Sequence, residues 1–180
     1  MATTSILTLP QIQSILKKID LIPLIEEGFV AYSKGQSVVP PVGELLFEEP
    51  TGETHIKYGY IKGQEYAAVK IASGFPGNAS VGLSNSQGVI LLFSQQTGEL
   101  VSVLLDEGHL TDVRTAIASM ITLKHLAPKK TKKIGIIGTG IQANLQLTYL
   151  HQVTDCKNIM VWGRNEEKMK AYIDLSLIHI

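Results

Sequence analysis

Two stretches of the chain pattern their apolar residues differently. From Glu44 to Leu105 they come in short runs rich in β-branched and aromatic residues. These are Glu44 to Phe47, His55 to Ile61, Tyr66 to Ala72 and Gly88 to Ser94, with Thr97-Gly98 turning into Leu100 to Leu105. Clusters of Gly, Pro, Asn and Ser separate them, which predicts strands of a mixed or antiparallel sheet. Two helices are expected ahead of it. One starts at Leu9-Pro10 and takes in Gln11 to Lys18. The other spans Leu21 to Lys34, with Leu24, Ile25, Phe29, Val30 and Tyr32 on one side and Gly35 as its stop. Ser37 to Pro41 is expected to be extended, since a residue before proline avoids the helical region.

From Thr111 the period changes. Val113, Ala116, Ile117, Met120, Leu123 and Ala127 recur at steps of three or four, which predicts one helix with Thr111 as its N-cap. Pro128-Lys129-Lys130-Thr131 is a polar stop and the expected domain boundary. Beyond it Lys133 to Ile137 reads as a buried strand, Asn144 to Gln152 as a helix, Asn158 to Trp162 as a second strand and Glu166 to Asp174 as a further helix. The fold class is therefore α/β. An α+β substrate and dimerisation domain over residues 1–127 is followed, over 128–174, by the first βαβ part of a Rossmann dinucleotide-binding domain. Trp162 is expected to pack within that second domain.

The chemistry begins in the turn after the first of those two strands. Gly138-Thr139-Gly140-Ile141-Gln142-Ala143 fits G-x-G-x-x-G/A in its strand–turn–helix context. In such a turn the first glycine allows the tight bend, the second lets backbone approach a pyrophosphate, and a small last residue allows close packing. The phosphates then rest on N–H groups at the helix N-terminus. The residue after the second strand selects the cofactor: a carboxylate holds a ribose 2′-hydroxyl, an arginine accepts a 2′-phosphate. Arg164-Asn165 stands there, which favours NADP over NAD; otherwise Arg164 is a solvated loop charge. Such a fold uses about six strands, and two are found. The reading is of a truncated copy, inactive as a fragment. Residues 175–180, Leu-Ser-Leu-Ile-His-Ile, match a translated sequencing-library transposon end and are expected to be non-native.

Lys70 lies within a strand, where a lysine ordinarily occupies the solvated face. The loop after it, Ser73 to Asn78, is suited to bringing backbone near a ligand. Arg114 reads as a first-turn residue, where a cation opposes the helix dipole, and an anionic ligand would explain it. His55, His109, His125 and His151 lack metal-ligand spacing and read as structural or exposed. Cys156 has no partner base.

Composition narrows the classes. Of 180 residues, 16 are Lys or Arg and 16 are Asp or Glu, so the net charge is zero and no basic stripe points to nucleic acid. No apolar run reaches the length of a membrane span. The N-terminus lacks a secretory pattern, and a single cysteine fits a reducing compartment, so a cytoplasmic setting is expected.

Several ordered motifs now come together: Val39-Pro40-Pro41, His55-Ile56-Lys57, Val69-Lys70-Ile71 with Gly74-x-Pro76-x-Asn78, Leu110 to Ala116, and Ile136 to Ala143. Over roughly residues 5–174 the chain resembles the ornithine cyclodeaminase/mu-crystallin family. The resemblance implies a homodimer of two-domain subunits that uses NADP or NAD on a small amino or imino acid. It implies cyclodeamination of an ornithine-type substrate to proline, or reduction of a cyclic ketimine. It also implies that Lys70 and Arg114 meet the substrate carboxylate, with Arg114 near the cofactor and Asn78 at the substrate. Ser86, or equally Ser84, falls near a hydroxyl residue that contacts cofactor. Members acting on ornithine carry an arginine just after the Pro-Pro, where this chain has Val42; the nearby Glu44 is positioned to meet an amine instead. The family's catalytic aspartate falls beyond the matched segment. The alternative readings are a non-catalytic, mu-crystallin-like binder of NADP or a small ligand, and an inactive fragment.

Overall fold

The structure, a computed structural model, describes the backbone of residues 3–179 and the side chains of residues 3–174. It divides into two compact units, Met1–Thr111 and Asp112–Ile180. The division falls inside the helix His109–Leu126, ahead of the Pro128 boundary that the polar stop suggested.

The first unit is built on a seven-stranded sheet in the order β1-β7-β6-β5-β4-β2, with β3 pairing β4. The strands are β1 (Ser5–Thr8), β2 (Ser37–Val38), β3 (Gly43–Phe47), β4 (Gly52–Ile61), β5 (Tyr66–Gly74), β6 (Ser86–Ser94) and β7 (Leu100–Leu105). All pairings are antiparallel except β1 with β7, which is parallel. The expected mixed sheet is therefore present. The strand β1 was not anticipated: its four residues acquire meaning only by pairing with Ser102–Leu105 at the far end of the unit. Helices α1 (Leu9–Leu16) and α2 (Leu21–Ser33) follow β1 and bury Ile12, Ile22 and Ala31. Thr8 and Gln11 form a capping box at the start of α1, which places that start at Leu9.

Antiparallel register decides which residues share a face. Glu44, His55, Ala72 and Gly88 lie in one row across β3 to β6, and Lys57, Lys70 and Ile90 in the next. The other face carries Ile6, Leu45, Phe47, Tyr58, Tyr60 and Leu105. All six of these side chains are exposed, Ile6 to 61% and Leu45 to 54%.

In the second unit α3 (His109–Leu126) buries Val113, Ala116, Ile117 and Met120, the face that the sequence period marks. Its start is a correction. Thr111 lies inside the helix, because Asp106 supplies the cap three residues upstream of His109: its Oδ2 accepts from the Leu110 N–H at 2.9 Å. Glu107 and Gly108, with φ of 53° and 84°, turn the chain into it. Strands β8 (Ile134–Ile137) and β9 (Ile159–Trp162) pair in parallel around α4 (Ile141–Leu150), and α5 (Glu166–His179) follows. This is the expected βαβ unit. Ile134, Ile136, Ile159 and Val161 form a half-buried row. Trp162 does not pack: it points to the opposite face and is 61% exposed, beside Ile137 at 85% and Met160 at 52%. The backbone of α5 runs past Asp174 without a break; the side chains of the expected non-native tail, 175–180, lie outside the described residues.

Candidate functional site

In the first unit the site grows from the sheet's polar face. Lys70 stands in the middle of β5, half-buried, directly opposite Lys57 on β4. Like charges directly opposed across strands are destabilising, so this pair has a cost that an anion lying over both would remove. Lys70 Nζ also donates to Thr111 Oγ1 at 3.3 Å. Thr111, read from the sequence as a cap, is thus a lysine partner. Lys57 is a candidate site residue that sequence reading missed, because its place beside Lys70 exists only through strand register.

The turn before α3 seats this arrangement. A Cβ on Gly88 would stand 3.1 Å from Gly108 Cα and N and 3.2 Å from the Ile71 carbonyl oxygen. A side chain there would push the turn off β6. Ser86 lies at the same spot: a Cβ on Gly108 would meet Ser86 Oγ at 3.3 Å. Ser84 instead spends its hydroxyl on the Ser86 carbonyl at 2.9 Å. Asp106, 1% exposed, holds the turn with Oδ2, while its Oδ1 is buried without a hydrogen-bond partner.

Two of the expected ligands are engaged elsewhere. Asn78 lies in a 3-10 turn, Pro76–Val81, and its Nδ2 donates to the Ser84 carbonyl at 2.9 Å, so it shapes its own loop. Glu44 Oε1 lies 3.6 Å from His55 Nδ1, and Glu53 Oε2 lies 3.4 Å from His55 Nε2. His55 is therefore flanked by two carboxylates. Val42 is exposed beside this row.

The second unit carries the glycine turn. Gly138 has φ of 107°, a value that favours glycine, and its N–H donates to the Trp162 carbonyl at 2.7 Å. Gly140 is the N-cap of α4, with no side-chain cap. A Cβ at either glycine would meet no protein atom within 4 Å. At Gly140 neither packing nor φ demands glycine, and open space is what a pyrophosphate lying on the backbone would use. The N–H groups of Ile141, Gln142 and Ala143, in the first turn, have no intrahelical acceptor. Thr139 is packed instead, its Cγ2 3.0 Å from where a Cβ on Gly163 would stand. These residues fit a dinucleotide's diphosphate.

Side chains around the turn are spent on structure. Gln142 Nε2 donates to the Asp112 carbonyl at 3.1 Å and to Asp112 Oδ1 at 3.2 Å. Tyr172, buried on α5, donates its hydroxyl to the Ala143 carbonyl at 2.9 Å, and burial pushes its pKa up to about 12. Asn165 caps α5: its Oδ1 accepts from the Lys168 N–H at 2.9 Å. Arg164, beside it, is exposed and has no side-chain partner among the described residues.

Arg114 belongs to the second unit and Lys70 to the first. Because α3 begins at His109, Arg114 is its sixth residue, exposed in the second turn. The dipole effect fades within the first turn, so Arg114 is not opposed by the helix and its position does not call for an anion. Among the described residues no group of His, Cys, Asp and Glu could hold a metal ion, and no helix is long and apolar enough to cross a membrane.

Residues 2–177 match the model of the ornithine cyclodeaminase/mu-crystallin family, and the chain belongs to that family. An uncharacterized cyclodeaminase of Sinorhizobium fredii is 36% identical over 182 residues, covering 99% of this chain and 55% of the relative. Among solved structures, an archaeal alanine dehydrogenase dimer with bound NAD is 30% identical with a TM-score of 0.86, covering 95% of this chain and 52% of that one. A Thermococcus litoralis Δ1-pyrroline-2-carboxylate reductase in complex with NADH and L-proline is 29% identical with a TM-score of 0.85, covering 97% and 54%. The chain spans about half the length of the relatives it matches.

Proposed function

We propose that this family member serves an NAD(P)-dependent enzyme acting at the C–N bond of a small amino or imino acid. The observation that carries the reading is the glycine turn: an uncapped α4 N-terminus with open space at Gly138 and Gly140. The relatives' names and ligands support it, since a cyclodeaminase, an amino acid dehydrogenase with NAD and a cyclic imine reductase with NADH all match this chain. A nicotinamide dinucleotide, when bound, supplies or accepts the hydride. The chain's own residues hold and orient. The N–H groups of Ile141 to Ala143 receive the diphosphate. Lys70, with Lys57 opposite, takes the substrate carboxylate, and Arg114 is kept as a substrate-binding cation on the family resemblance alone. Fixing the carboxylate orients Cα, which is catalysis by positioning.

Of the two chemistries, reduction of a cyclic ketimine is preferred to cyclodeamination of an ornithine-type substrate. Val42 stands where ornithine-using members carry arginine, and the loss of one charged hydrogen bond is worth roughly 1.5–3 kcal/mol. Glu44 is the nearby carboxylate that would meet an amine, in exchange for or beside its contact with His55. NADP is preferred to NAD because Arg164 is exposed and unpaired, as a 2′-phosphate ligand should be. Ser86, placed against Gly108, is preferred to Ser84 as the cofactor's hydroxyl contact. The exposed apolar face of the first unit's sheet supports a homodimer, and the single cysteine fits the cytoplasm.

Titration with NADPH and NADH, followed by turnover with a cyclic imine carboxylate and by ammonia release from ornithine, tests the reading. NADPH is expected to bind more tightly and the imine to turn over. Failure of both nucleotides to bind sinks the proposal. Binding and thermal protection without turnover would favour the mu-crystallin-like binder. Arg114→Ala is expected to abolish turnover and leave the fold intact.

A further inference from the structure

We infer that Gln142 is a positioning residue that couples occupancy of the glycine turn to the helix bearing Arg114. The inference rests on the dinucleotide reading above. Gln142 is the second residue of α4, so its own N–H belongs to the set that would receive phosphate. Its side chain leaves that set and reaches α3, where Nε2 donates to both the Asp112 carbonyl and Asp112 Oδ1. One of those acceptors is main chain, so the grip is on the helix itself and not only on a mobile carboxylate. Asp112 precedes Arg114 by two residues. One residue therefore joins the phosphate-binding turn to the backbone that carries the substrate cation.

Packing alone does not explain a glutamine here. Its Oε1 is buried without a partner, and an unpaired buried acceptor carries a desolvation cost that a methionine or leucine of similar volume would avoid. The opposite orientation of the amide would set Oε1 against two acceptors, so the donor must face Asp112. The arrangement gives up polar satisfaction at one atom and gains a two-point link at the other. Tyr172 adds a second hold on the same turn through the Ala143 carbonyl. The first turn of α4 is thus tied by side-chain hydrogen bonds to both α3 and α5.

The test is hydrogen exchange of the full chain with and without NADPH, in the wild type, Gln142→Leu and Gln142→Met. In the wild type, NADPH should slow exchange in the first turn of α4 and also in residues 112–116. In both variants the protection of 112–116 should fall by about tenfold, the worth of one lost charge-assisted link. With each protein measured at saturating NADPH, protection of the first turn of α4 should persist, because the phosphate contacts are main chain. If α3 is protected equally in wild type and variants, or is not protected in a wild type that binds NADPH, the inference is overturned and the dinucleotide reading stands. A wild type that binds no NADPH overturns both. Gln142→Met keeps the side chain's length and flexibility, so it serves if the branched leucine disturbs folding.

Discussion

The first unit's sheet sets Glu44, His55, Lys57 and Lys70 on one face, with Leu46 and Ile90 among them, and Leu45, Phe47, Tyr58 and Tyr60 on the other. The second unit's strands make no such division. β8 and β9 set Ile134, Ile136, Ile159 and Val161 on one face and Ile137, Met160 and Trp162 on the other, with Gly135 as the one small residue between. Alternation is the mark of an antiparallel sheet with one wet face, and continuous apolar strands are the mark of a parallel sheet covered on both. The first unit therefore needs one apolar partner and keeps its other face for polar chemistry. The second needs cover on both sides, and its candidate cofactor turn stands at the end of a strand. Each unit exposes apolar surface, and in the first that face lies opposite the row of Lys57 and Lys70.

The largest effect should come from spoiling the first unit's apolar face. Tyr58→Glu places a carboxylate in the middle of it. If that face joins two copies, an unpaired buried charge costs about 3–5 kcal/mol, and dimer affinity should fall on the order of 1000-fold. Sedimentation would read it; an unchanged oligomeric state removes the face from the interface. Next is Gly140→Val in the second unit. No protein atom opposes the new side chain, so the melting temperature should barely move while nucleotide affinity falls by about 100-fold, the worth of two charge-assisted bonds. A stable variant that still binds NADPH would detach the turn from phosphate. Smaller is Lys70→Met, which relieves the opposition of Lys57 and Lys70. Amino acid affinity should drop about tenfold with no loss of stability. A destabilised variant with unchanged affinity would mean that Lys70 serves the fold through Thr111.

What was legible in the sequence follows the same divide. Local patterns carried far: the β-branched runs, the apolar face of α3 and the glycine turn all stand where the spacing put them. Long-range pairings did not show. Ser5–Thr8 is a strand only because Ser102–Leu105 receives it. Lys57 belongs with Lys70 only through register. The start of α3 was misread because Thr111 has the chemistry of a cap, whereas Asp106 reaches forward over a left-handed turn at Glu107 and Gly108. With the start at His109, Arg114 stands in the second turn, beyond the reach of the helix dipole. The glycine turn's sequence likewise gave no sign that Gln142 is turned inward to Asp112, and an aromatic residue such as Trp162 was expected inside where β9 in fact turns it out.

The smallest effect separates the units by pH. Tyr172 titrates near 12 because burial disfavours its charged form, and burial also raises Tyr149 on α4. A pKa above the ordinary value of 10 means that the neutral hydroxyl is preferred in the folded state. The stability it brings is fully present below pH 10 and is lost as pH rises through about 12. The phenolate cannot donate to the Ala143 carbonyl, so the hold on α4 goes with it. The second unit should therefore loosen between these values. In the first unit's sheet the neighbouring Glu65 raises Tyr66, but Tyr66 is exposed at the start of β5, so its titration should leave the sheet's signal in place. Tyr172→Phe removes the bond at neutral pH at a cost of about 1 kcal/mol, and should flatten this alkaline loss to the part that Tyr149 contributes. Circular dichroism for the sheet and fluorescence of Trp162 for the second unit would follow the two separately. Coincident loss of both signals in the wild type would mean that the units unfold as one.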